Sequence, residues 1–139
     1  MVEPFVANIN FGLQIIILII IISSLVLKKR SSYFSHGITM LIAIILNAIS
    51  FLFVMGPSLF GLKQFIFAQP SHIISIFLLI HASVGTLAEI VGGWLIVSWR
   101  LRSGVKYCAQ NRKIMKYVLI LWLISLFSGF VVYSVLYVV

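Results

Sequence analysis

Aspartate is absent from this chain of 139 residues, and glutamate occurs only twice, at Glu3 and Glu89. Two acids are too few for a dimetal carboxylate centre, and they leave ten Lys and Arg almost unopposed. The single cysteine, Cys108, excludes an internal disulfide and a cysteine metal cluster. Charged residues make up 9% of the chain, against about 25% in a soluble domain, which excludes a soluble globular protein. Hydrolase, kinase, dinucleotide and zinc-protease motifs are missing too. What the chain has instead is apolar mass: 63% hydrophobic residues and a mean hydropathy of +1.23.

That mass falls into four stretches long enough to cross a bilayer, which takes about 20 residues each. They predict an all-α, four-helix transmembrane bundle in one domain, 1–139, with spans near 7–27, 37–55, 73–99 and 117–139. Gly56-Pro57 is expected to end the second span, because proline cannot continue the helical hydrogen-bond ladder. Pro70-Ser71 reads as a proline-then-cap start for the third. Strands are disfavoured because no stretch alternates apolar with polar as a membrane barrel requires. The first span is expected to be an uncleaved helix. Glu3 precedes it where a signal peptide carries Lys or Arg, and Lys28-Lys29-Arg30 follow in place of a small-residue cleavage site.

Nine of the ten basic residues lie in two alternate connections: Lys28, Lys29 and Arg30 in one, Arg100, Arg102, Lys106, Arg112, Lys113 and Lys116 in the other. Only Lys63 lies in the loop between spans two and three. The positive-inside rule then makes both basic loops cytoplasmic and places both termini outside, in a multi-pass protein of the cell membrane. Trp94, Trp99, Tyr107 and Tyr117 read as an aromatic belt at the inner interface. The basic excess serves topology and anionic lipid, not nucleic acid.

Polar residues inside the spans are the candidate functional groups. At 100° per residue, Gly85, Ala88, Glu89 and Gly92 all fall within about 80° of His81, so one face of the third span is small or polar and points into the bundle. On the second span His36, Ala43, Asn47 and Ser50 share a face. Counting about 1.5 Å per residue puts Asn47 and Glu89 at matching depth, so an amide-to-carboxyl hydrogen bond between the spans is expected. Ser125 and Gly129 of the fourth span lie near that level. His81 is a haem or metal ligand or else a hydrogen-bonded packing residue, and Glu89 is a proton-carrying or metal-binding carboxylate or else the partner of Asn47. Met55, Tyr133 and Gln14 match His81 in depth. His36 reads as a headgroup-level residue, and Gly85, Ala88, Gly92, Ser125 and Gly129 as helix-packing positions.

Three segments carry a family resemblance: KKRSSYFSHGITM with His36, FLLIHASVGTLAEIVGGW with His81, and NRKIMKYVLILWLISLFSGFVVYSVLY. Over residues 28–139 the chain resembles a family of small four-helix membrane proteins that includes a maturation factor for haem-copper terminal oxidases. The resemblance implies a respiratory setting, with His36 and His81 as cofactor-binding candidates. The family's histidine in the basic loop is replaced here by Asn111, which deprives His36 of a partner on that side.

The functional expectation is a membrane accessory protein without catalytic activity of its own, serving the maturation of a haem-copper oxidase beside larger membrane subunits, with haem b or a metal held through His81. An alternative is a permanent small subunit of a membrane metalloenzyme, either a terminal oxidase or a monooxygenase. A further alternative, a haem b electron carrier, would need four histidines for two bis-histidine haems where the chain has three.

Overall fold

The computed structural model describes residues 4–102 and 104–138. All regular structure in them is helical: α1 (Pro4–Lys29), α2 (Tyr33–Ser50), α3 (Gly56–Ala68), α4 (Ile73–Trp99), the short α5 (Val105–Gln110) and α6 (Arg112–Tyr133). Two π turns, Phe51–Met55 and Ser134–Val138, join α2 to α3 and extend α6. Four helical stretches are long and apolar enough to span a bilayer: Pro4–Lys29, Tyr33–Ala68, Ile73–Trp99 and Arg112–Val138. The chain is a multi-pass membrane protein, because an unbroken apolar run in lipid must satisfy its backbone internally.

The second span does not end at Gly56-Pro57. It runs on as a helix to Ala68. The reason is the π turn immediately before the proline: the N–H of Gly56 reaches back to the carbonyl of Phe51, five residues away. This wider turn absorbs the missing donor and the ring clash that proline would impose on a regular α-helix, so Pro57 sits in the first turn of α3. Lys63 therefore lies on a helix and not in a loop. At about 1.5 Å per residue the 36-residue stretch is about 54 Å long, well beyond a hydrocarbon core of about 30 Å. The cap of α4 also differs: His72 caps it, its ring Nδ1 accepting from the N–H of Ile74 at 3.3 Å, in place of Ser71. Arg112, Lys113 and Lys116 lie within α6, which begins five residues before the expected 117.

The bundle is two hairpins. α1 packs along α2 and α4 along α6, α2 and α4 join the pairs, and α1 touches α6 only sparsely. Small side chains set the approach: Ser24, Ser50, Ser75, Ser125 and Ser128 are all buried, as are Ala43, Ala88 and Gly92. Membrane helices associate in this way, because lipid supplies no hydrophobic push and close packing with hydrogen bonds must do the work. The largest apolar core cluster is Ile17, Ile21 and Ala43, with Leu119 and Trp122 against it. Most large apolar side chains, among them Phe53, Phe60 and Phe67, face outward, as lipid contact requires.

The expected aromatic belt is only partly formed. Trp94 and Tyr117 are exposed, but Trp99 is buried, because Gly37 leaves room for its indole; a Cβ at Gly37 would overlap the ring. The Trp99 Nε1–H donates to the carbonyl of Arg102 at 2.6 Å, which ties down the turn that follows α4.

Candidate functional site

Each hairpin is closed by the same histidine–serine clasp. In the first, His36 Nδ1 donates to the backbone carbonyl of Ser24 at 2.9 Å, while the Ser24 hydroxyl donates to the carbonyl of His36 at 3.0 Å. The second pairs His81 Nδ1 with the carbonyl of Ser125 at 2.8 Å and the Ser125 hydroxyl with the carbonyl of His81 at 3.2 Å. A carbonyl can only accept, so the Nδ1–H tautomer satisfies both clasps, with the Ser24 hydroxyl also 2.7 Å from His36 Nδ1, and in that tautomer the lone pair is on Nε2. Neither Nε2 has a hydrogen bond among the described residues. An imidazole fixed through one nitrogen with the other free is the arrangement that metal-binding histidines adopt.

His36 is packed between helices and does not project from the bundle. It lies at the basic end of the bundle, but it is buried between α1 and α2 at 6% exposure. Its clasp with Ser24 is consistent with depth, since Ser24 is one turn from the end of α1 and His36 one turn from the start of α2.

The His81 clasp rests on two glycines. A Cβ at Gly129 would lie 2.7 Å from His81 Cε1, and one at Gly85 would lie 2.7 Å from Ser125 Oγ. Both positions must stay bare for the ring and the hydroxyl to occupy the α4–α6 contact. Gly92 faces Ile44 and Val118 in the same way, less tightly.

Between the histidines lies a polar layer. Asn47 Nδ2 donates to Glu89 Oε2 at 2.6 Å, joining α2 to α4. The Asn47 carbonyl oxygen accepts from Gln14 Nε2 at 3.4 Å, and the same amide donates to Ser50 Oγ at 3.1 Å. The Ser50 hydroxyl donates to the side-chain carbonyl of Asn10 on α1, and the Tyr133 hydroxyl donates to that of Asn8. A string of amides and hydroxyls therefore leads from Glu89 toward the end of the bundle opposite the basic one.

Two cavities flank this layer. The one at the basic end, about 290 Å³, is lined by His36, Asn47, Ala88, Glu89 and Gly92 among others. The second, about 300 Å³, is lined by His81, Gly85, Ser125, Gly129, Gln14, Met55 and Tyr133. His36 and His81 therefore face different chambers and cannot hold one group between them. Met55, Gln14 and Tyr133 do share a chamber with His81.

Comparisons with protein families, characterised proteins and solved structures find no match to this chain.

The site is therefore read from its chemistry. No group of three or more His, Cys, Asp or Glu occurs among the described residues, so they form no closed metal cage. Each chamber contains one imidazole, and the basic-end chamber adds Glu89 and Cys108. In the His81 chamber Met55 is the other side chain with a soft donor atom. This set fits a group that takes one histidine from the protein, such as a haem or a weakly held metal ion. It does not fit bis-histidine ligation.

Sequence reasoning missed the reciprocal partners of the histidines and the cluster at the basic end, where Tyr107 and Cys108 of α5 turn inward. The Tyr107 hydroxyl donates to the carbonyl of Leu95 at 2.7 Å, and Cys108 is buried. Burial pushes the Cys108 thiol up, and Lys28 nearby draws it partly back.

Proposed function

We propose that this protein is a non-catalytic accessory factor of a membrane respiratory complex, which presents His81 Nε2 to a haem or metal ion during maturation of a haem-copper terminal oxidase. The observation that carries this reading is the His81–Ser125 clasp, which fixes the ring's orientation through Nδ1 and leaves Nε2 without a hydrogen bond at a largely apolar chamber. A single protein ligand suits temporary holding better than permanent housing, since release then breaks one bond. The family resemblance of the His36 and His81 segments supports the respiratory setting, and the exposed apolar helix faces suit larger membrane subunits as partners.

In this reading His81 binds the incoming group, Ser125 orients the ring, Gly129 and Gly85 keep its place open, and the apolar walls exclude water. Bound haem or metal would supply redox chemistry to the partner enzyme. The basic loops face the cytoplasm and both termini the outside of the cell membrane, by the positive-inside rule.

The test is made in cells that lack the native copy. His81→Ala is expected to lower the cofactor content of the assembled oxidase, with the variant's own abundance in the membrane unchanged. Full oxidase cofactor content in His81→Ala would overturn the ligand role. Fixed-stoichiometry co-purification with the mature oxidase would favour the permanent-subunit alternative.

A further inference from the structure

The chamber at the basic end has a second feature that the histidines do not use. Both α1 and α6, which barely touch, contribute to its lining, with Leu25 on the α1 side and Met115 and Val118 on the α6 side. Its lining also includes Lys28 from α1 and Arg112 and Lys116 from α6. The chain's only acids are Glu3 and Glu89, and Glu89 is engaged by Asn47 in mid-span. Glu89 lines the chamber too, but among the described residues it forms no ion pair with the three cations. Lys29, Arg30 and Lys113 belong to the same end but do not line the chamber.

Like charges lining one chamber repel each other, and an anion between them relieves that repulsion. A soluble anion would have no use for the apolar slot beneath, and a neutral apolar molecule would leave the cations unmatched. We propose that the α1–α6 seam is a binding site for one anionic phospholipid. Its phosphate lies between Lys28 and the Arg112–Lys116 pair, and one acyl chain lies along Leu25, Met115 and Val118. The lipid thereby bridges the two hairpins where protein contact is sparse. The site uses neither His81 nor its chamber, so it stands or falls separately from the maturation reading.

The full chain is reconstituted in phosphatidylcholine nanodiscs with and without phosphatidylglycerol of the same acyl chains, then transferred to mild detergent for native mass spectrometry. One phosphatidylglycerol is expected to remain per chain, with a thermal midpoint higher in the anionic discs. The combined variant Lys28→Gln, Arg112→Gln and Lys116→Gln is expected to lose that preference about tenfold or more, as removing headgroup attraction from three cations implies. The charge-matched control Lys29→Gln, Arg30→Gln and Lys113→Gln is expected to keep it. Equal loss in both combinations would reduce the effect to general surface charge and overturn the site. Retention of phosphatidylcholine to the same extent, or competition by water-soluble glycerophosphate, would overturn it too. If the combined variant does not fold, the single variants Arg112→Gln and Lys116→Gln are compared with Lys113→Gln by the same readout.

Discussion

At the scale of single residues, the protein's chemistry lies in how two histidine rings are held. Each is held through Nδ1 against a serine carbonyl, with no hydrogen bond to Nε2 among the described residues. Gly129→Ala leaves every polar group in place but puts a methyl against the His81 ring, and overpacking of that kind costs about 1–3 kcal/mol. The expected outcome is lower thermal stability together with loss of any His81-dependent cofactor signal. In the polar layer, Asn47→Ala removes an interhelical bond worth about 0.6 and up to about 1.7 kcal/mol in membranes, whereas Glu89→Gln keeps an acceptor for Asn47 and is expected to cost less. Unfolding in detergent compares the two. Cys108 gives a pH prediction: burial raises its thiol above the ordinary value of about 8.5, so the folded state holds that proton more tightly than the unfolded chain. Its contribution to stability is complete below the unfolded value and is lost as pH rises through the folded one. Cys108→Ser is expected to flatten this alkaline fall in stability, and alkylation of the wild-type thiol is expected to be slow at neutral pH.

The helices were legible in the sequence almost to the residue where composition alone decides them, as in α4, whose expected and observed limits coincide at 73–99. They were not legible where a local backbone device overrides a rule. Proline was read as a stop, but the π turn Phe51–Met55 places it in the first turn of a continuing helix, and no composition signal marks a π turn. Because that turn accommodates the ring, Pro57→Ala is expected to change stability by less than about 1 kcal/mol. A proline at Ile49, inside regular α2, is expected to cost about 3 kcal/mol or more. Circular dichroism melts of the two variants check the contrast. Depth counting brought Asn47 to Glu89 because both helices are regular between that layer and the basic end. It did not bring Ser125 to His81, since α6 begins five residues earlier than the hydropathy pattern indicates and the count from its start was displaced.

At the scale of the whole molecule, the two clasped hairpins meet along α2 and α4 and part along α1 and α6, so that two chambers open on either side of a polar layer. This pairing of helices was not in the sequence, because apolar faces of similar character leave the neighbours of each helix unspecified. The chambers follow from the pairing, which is why the basic-end cluster of Lys28, Cys108, Arg112 and Lys116 could not be foreseen from any one segment. Sidedness is open to direct labelling. In a Cys108→Ser background, cysteines introduced at Ser31 and at Gln69 are expected to react with a membrane-impermeant maleimide from the cytoplasmic and outer faces respectively.

The central claim is that His81 presents a free ligating nitrogen to a cofactor, and the most direct measurement is the reduced-minus-oxidised visible spectrum of the gently purified protein after loading with haem. The account predicts a haem b signal that is lost in His81→Ala and in Gly129→Ala and retained in His36→Ala. A spectrum that is unchanged by His81→Ala, or abolished only by His36→Ala, would contradict it.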